Sequence, residues 1–104
     1  MDPDKRVFSL WRKFERHPDK ERPVTFYFYF PDKNKAELAG VVLKREGFEV
    51  DIDTPLNPGE WSCIGYKTMV PEYAEIHDLR QWLEKIAEDL DGNYDGWETE
   101  TFID

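Results

Sequence analysis

The chain has 104 residues, is 39% hydrophobic and 15% aromatic, and carries a formal net charge of -9 at pH 7. That length allows one domain around one core, and four Trp, five Tyr and seven Phe supply ring area enough to build it without metal or disulfide staples. A single cysteine, Cys63, excludes an intramolecular disulfide and any multi-cysteine zinc site; no apolar run approaches the ~20 residues of a membrane helix, and the first residues are too charged for a secretory signal, so a cytoplasmic protein without membrane contact is expected.

The charge is uneven along the chain. Residues 1–23 hold seven Lys/Arg against five Asp/Glu, whereas residues 24–104 hold seven against eighteen. An acidic body repels a phosphate backbone and attracts basic partners. In the first segment Val7, Leu10, Trp11 and Phe14 recur at helical spacing, which predicts an amphipathic helix from Pro3 to about Arg16 with those four facing inward. Pro18 and Pro23 mark His17–Pro23 as a linker, so residues 1–23 read as helix plus linker and 24–104 as the domain.

"VTFYFYF", Val24 to Phe30, alternates strictly: Val24, Phe26, Phe28 and Phe30 on the better-buried face, Thr25, Tyr27 and Tyr29 on the other. A helix follows, with Asn34 and Glu37 at capping-box spacing, an inward stripe of Ala36, Ala39, Val42 and Leu43, and Gly47 as its stop. "FEVDID" alternates again, opposing Phe48, Val50 and Ile52 to Glu49, Asp51 and Asp53. Pro55, Pro58 and Gly59 hold a loop, and Trp61 to Val70 makes a third strand. Pro71 opens a long helix with a seam of Ile76, Leu79, Leu83, Ile86 and Leu90; Gly92 stops it, and "YDGWETETFI" is the fourth strand.

The order β-α-β-β-α-β predicts an α/β (α+β) ferredoxin-like fold: a four-stranded antiparallel sheet in the order 4-1-3-2, two helices on one face, and an extra N-terminal helix. The other face then carries Tyr27 and Tyr29, with Trp61 or Tyr66 beside them according to register, and Glu49, Asp51, Asp53, Glu98 and Glu100 around them. An aromatic platform on this fold can stack RNA bases, but the surrounding carboxylates and the lack of basic and glycine-rich signature residues argue against direct nucleic-acid binding. Two readings remain. The N-terminal helix folds back and covers the tyrosines, which is the expected arrangement, or the helix or platform receives a protein partner, a second copy of the chain included.

Chemistry-bearing clusters are absent from the sequence pattern. His17 and His77 lack zinc-ligand spacing, Cys63 has no histidine near it, the acidic runs do not match a calcium loop, and no glycine-rich phosphate loop follows a strand. No catalytic residue, metal or cofactor is expected.

The helix ending in "REGFEVDI" and the "YDGW" leading into the last strand resemble the RraB family, known as regulators of ribonuclease E activity. The likeness runs from about Val24 to Phe102, sharpest at "NYDGW" (Asn93 to Trp97) and "EGFEV" (Glu46 to Val50). It implies a ferredoxin-like, non-catalytic protein that binds the endoribonuclease, through the enzyme's arginine-rich C-terminal region, and lowers its activity on a subset of transcripts. Within "NYDGW", Asp95-Gly96 is read as easing the chain into an edge strand while Tyr94 and Trp97 anchor it. The candidate partner-binding residues are Tyr27, Tyr29, Asp95, Trp97, Glu98 and Glu100.

Overall fold

The computed structural model describes residues 3–54 and 59–103, so the expected loop prolines Pro55 and Pro58 lie outside the described residues. In chain order the elements are α1 (Pro3–Phe14), β1 (Arg22–Phe30), α2 (Lys33–Arg45), β2 (Glu49–Asp53), β3 (Trp61–Met69), α3 (Tyr73–Asp89) and β4 (Asn93–Thr99). All strand pairs are antiparallel in a sheet of order β2-β3-β1-β4, the ferredoxin-like order with β1 and β3 central.

The alternation in β1 sorts the two faces. Val24, Phe26, Phe28 and Phe30 are at most 1% exposed and pack with Ala36, Ala39 and Leu43 of α2 and Ile76, Leu83 and Ala87 of α3. Small residues let the layers close: a Cβ on Gly40 would lie 3.1 Å from Val50, and one on Gly65 3.3 Å from Leu43. Helix α2 is capped by Asp32, whose carboxylate accepts from the Lys35 backbone N–H at 2.8 Å, two residues ahead of the Asn34 that its spacing suggested.

The α3–β4 turn divides between two residues the work expected of Gly92. Asp91 takes the left-handed conformation, φ 56°, that ends the helix. Gly92 is there for space: a Cβ would lie 2.3 Å from the Phe30 ring and 2.7 Å from the Tyr29 carbonyl. Further on, the register against β1 shifts so that Phe28 pairs with Tyr94 but Tyr27 with Gly96, leaving Asp95 as the extra residue of a β-bulge. Gly96, at φ 109°, accommodates it. The bulge is why Tyr94 and Trp97, three apart, both turn to the helical side, opposite Phe28 and Phe26.

Helix α1 departs from expectation. Its inward stripe is Asp4, Phe8, Trp11 and the following Glu15, while Val7, Leu10 and Phe14 are exposed. It packs on α3, on the helical side of the sheet, and so does not cover the tyrosines. The reason is electrostatic. Asp4 is buried against Arg80 at 2.9 Å. Glu15 is ion-paired to Arg22 at 2.5 Å, with both side chains fully shielded from water. Arg22, the first residue of β1 rather than part of a linker, also donates to the carbonyls of Lys20, His17 and Glu100 and lies between the Trp11 and Phe102 rings. Glu15 accepts in turn from the backbone N–H groups of His17 and Phe102, both at 2.9 Å. The chain beyond β4 therefore leaves the sheet at Thr99, and the Phe102 carbonyl accepts from the Arg16 N–H at 2.8 Å.

Two outcomes follow from these contacts. Gly92→Ala forces a methyl group into the Phe30 ring and is expected to cost about 1–3 kcal/mol in chemical denaturation, whereas Gly96→Ala meets no atom within 4 Å and is destabilising only through its backbone at φ 109°. Glu15→Ala strands a buried guanidinium and is expected to cost about 3–5 kcal/mol, with the double variant Glu15→Leu, Arg22→Met recovering much of it. Burial raises the Glu15 pKa, but the Phe102 and His17 N–H groups and Arg22 outweigh it and hold the carboxyl below its ordinary 4.5. The pair's stabilisation is therefore complete above that value and is lost as pH falls through the lower folded value, which an acid titration of stability on wild type and E15A separates.

Candidate functional site

The face of the sheet opposite the helices is built by the odd-numbered residues of β1. Thr25, Tyr27 and Tyr29 pair with Tyr66, Ile64 and Ser62 of β3, and these pair outward with Glu49, Asp51 and Asp53 of β2. On the other side Glu98 of β4 pairs with Thr25. Tyrosine rings thus line the centre and carboxylates both flanks. Trp61 pairs with Phe30 and belongs to the helical side, so the aromatic supplied by β3 is Tyr66.

Two tyrosine–carboxylate pairs organise this surface. The Tyr27 hydroxyl donates to Glu98 Oε1 at 2.7 Å. That hydrogen bond first, then burial and the Glu98 charge, push the phenol up to about 12. Tyr66 is likewise raised, by burial first and then by its hydrogen bond to Asp51. With both phenols raised, the rings stay neutral near neutral pH and stand between the carboxylates of the rim. Such an arrangement suits guanidinium groups, which stack on aromatic rings and donate paired hydrogen bonds to a carboxylate.

The sequence candidates separate in space. Tyr27, Tyr29 and Glu98 share the open face. Asp95 is exposed at the bulge on the β4 edge. Trp97 turns to the helical side, packs against the core and has a buried indole N–H without a partner among the described residues, so its ring contributes packing. Glu100 stands beyond the strand, where its carbonyl accepts from Trp11 Nε1 at 3.1 Å and Arg22 Nη1 at 3.2 Å. Asp51 and Tyr66 join the candidates because the register of β2, β3 and β1 brings them beside Tyr27; alternation in "FEVDID" was the available signal for Asp51.

Other chemistry is not assembled. Burial pushes the Cys63 thiol up to about 12, which suppresses the thiolate a nucleophile needs. Among the described residues no group of three or more His, Cys, Asp or Glu could hold a metal ion, and no helix is long and apolar enough to cross a membrane.

A family model, RraB, described as regulator of ribonuclease activity B, matches residues 2–99. The matched stretch takes in α1 and its connection as well as the sheet, a wider span than the Val24-to-Phe102 likeness read from the motifs. Comparison with curated proteins gives no match.

The Tyr27–Glu98 pair makes a spectroscopic prediction. Tyrosinate absorbance in the wild-type protein should show the Tyr27 phenol ionising only near 12, beside the Tyr94 and Tyr66 phenols, which burial also raises. In Glu98→Gln the Tyr27 phenol should ionise closer to the ordinary tyrosine range, about 10. Because the folded value is raised, the stabilisation from this pair is present below the ordinary value and is lost as pH rises through the folded one. An unchanged titration in E98Q would remove the hydrogen bond from the account of this face.

Proposed function

The chain belongs to the RraB family of regulators of ribonuclease activity, and from that premise we propose that it is a non-catalytic, cytoplasmic protein that binds a ribonuclease E-like endoribonuclease and lowers its activity, docking its acidic sheet face on a basic region of the enzyme. The observation that carries the reading is the open face itself: Tyr27, Tyr29 and Tyr66 flanked by Glu49, Asp51 and Asp53 on one side and Glu98 on the other, with α1 packed on the helical side instead of over it. Four carboxylates at the rim of a ring-lined surface favour an arginine-rich segment, for which charge also accelerates encounter. The same charges disfavour RNA, whose phosphates they repel. In this reading Asp95 and Glu100 extend the acidic border, and Trp97 acts through the position of β4.

Calorimetric titration of the full chain with the arginine-rich region of the host's ribonuclease E, at low and physiological salt, tests this. Saturable binding that weakens as salt rises is expected. Asp51→Lys with Glu98→Lys should reduce affinity about tenfold or more, with circular dichroism unchanged because both residues are exposed. No heat at either salt from folded protein would refute the docking.

A further inference from the structure

Helix α1 presents to solvent the groups that a soluble helix ordinarily turns inward. Val7, Leu10 and Phe14 are 46%, 59% and 63% exposed and, at spacings of three and four, form one stripe. Arg6 and Lys13, seven apart, run alongside it, Lys5 and Arg12 lie further round, and Arg16 follows two residues past the helix end, all exposed. None of these five cations forms an ion pair among the described residues. Meanwhile the acids nearest them in sequence, Asp4 and Glu15, are turned inward onto Arg80 and Arg22. The outward surface of α1 is therefore apolar and uniformly basic, although the segment is nearly balanced in sequence.

The surface that complements it is on the same molecule. The open sheet face offers carboxylates at Glu49, Asp51, Asp53 and Glu98 around the rings of Tyr27 and Tyr66. Within one copy the two cannot meet, because α1 packs on α3 on the other side of the sheet. We propose that α1 of one copy docks on the acidic tyrosine face of a second copy. Arg6 of the helix stacks on a tyrosine ring and, with Lys13, pairs with the rim carboxylates, while Val7, Leu10 and Phe14 cover the rings and Ile64. A contact that joins opposite sides of identical copies is head to tail, so it grows with concentration unless the rotation closes a ring. A nucleic acid would satisfy the cations but leave the apolar stripe in water, which favours the protein surface. The inference does not depend on the ribonuclease reading, although both use the same face and so exclude one another on a given copy.

Sedimentation of the full chain over a range of concentration and salt reads the association, and two exposed-surface variants assign it. One, Leu10→Glu with Phe14→Glu, lacks the helix surface; the other, Asp51→Lys with Glu98→Lys, lacks the sheet surface. Each alone should self-associate about tenfold more weakly or worse than wild type. Mixed in equal amounts they should form a heterodimer and nothing larger, since the first supplies only a face and the second only a helix. A wild-type chain that stays monomeric throughout overturns the proposal. So does self-association that either variant retains, or a mixture of the two that does not pair. Wild-type monomer that instead co-sediments with phosphatidylglycerol vesicles, and loses this with the helix variant, would overturn it in favour of a lipid surface.

Discussion

A carboxylate and a guanidinium shielded from water, Glu15 and Arg22, decide where the N-terminal helix lies. Neither can be buried alone, because an unpaired charge inside a protein costs several kcal/mol or more. Here each is met: Glu15 by Arg22 and two backbone N–H groups, Arg22 by Glu15, three carbonyls and two aromatic rings. The partners come from the end of α1, the connection after it, the start of β1 and the chain beyond β4, so one pair ties four segments together. Asp4 and Arg80 repeat the device at the other end of the helix.

With α1 held on the helical side, the sheet keeps one face closed and one open. The closed face carries the phenylalanines of β1; the open face carries its tyrosines. The bulge at Asp95-Gly96 maintains that division in β4, sending Tyr94 and Trp97 to the core and Glu98 to the Tyr27 hydroxyl. The alternation of a single strand therefore divides the roles: stability rests on the even-numbered residues, and the proposed recognition on the odd-numbered ones. The chain belongs to a family of regulators of ribonuclease activity, and in the two proposals a basic segment of the enzyme and the outward side of α1 compete for that open, acidic surface.

The strand and helix order was legible because its signals are local. Strict two-residue alternation from Val24 to Phe30 and the seam of Ile76, Leu83 and Ile86 each match one period, and six such elements in this order leave few topologies. The face of α1 was not legible. A search for apolar periodicity skips Asp4 and Glu15, and so selects Val7, Leu10 and Phe14 over the stripe that includes two buried acids. Arg22 was hidden in the same way, in a charged run where burial of one arginine leaves no pattern. Tyr66 could be separated from Trp61 only by strand register, which no single-strand signal contains. The bulge did have a signal: Tyr94 and Trp97 share a side only if the Asp-Gly between them adds a residue to the strand.

Helix α1 is fastened to the helical side and leaves the tyrosine face open. Proton–proton nuclear Overhauser contacts from the aromatic rings of the free protein test this placement directly. Contacts are expected from Trp11 to Phe8 and Arg22 and from Phe102 to Arg22, and none from Val7, Leu10 or Phe14 to Tyr27, Tyr29 or Tyr66 of the same chain. Contacts between that apolar stripe and those tyrosines in monomeric protein at high dilution would contradict it, and with it the recognition surface argued from an open sheet.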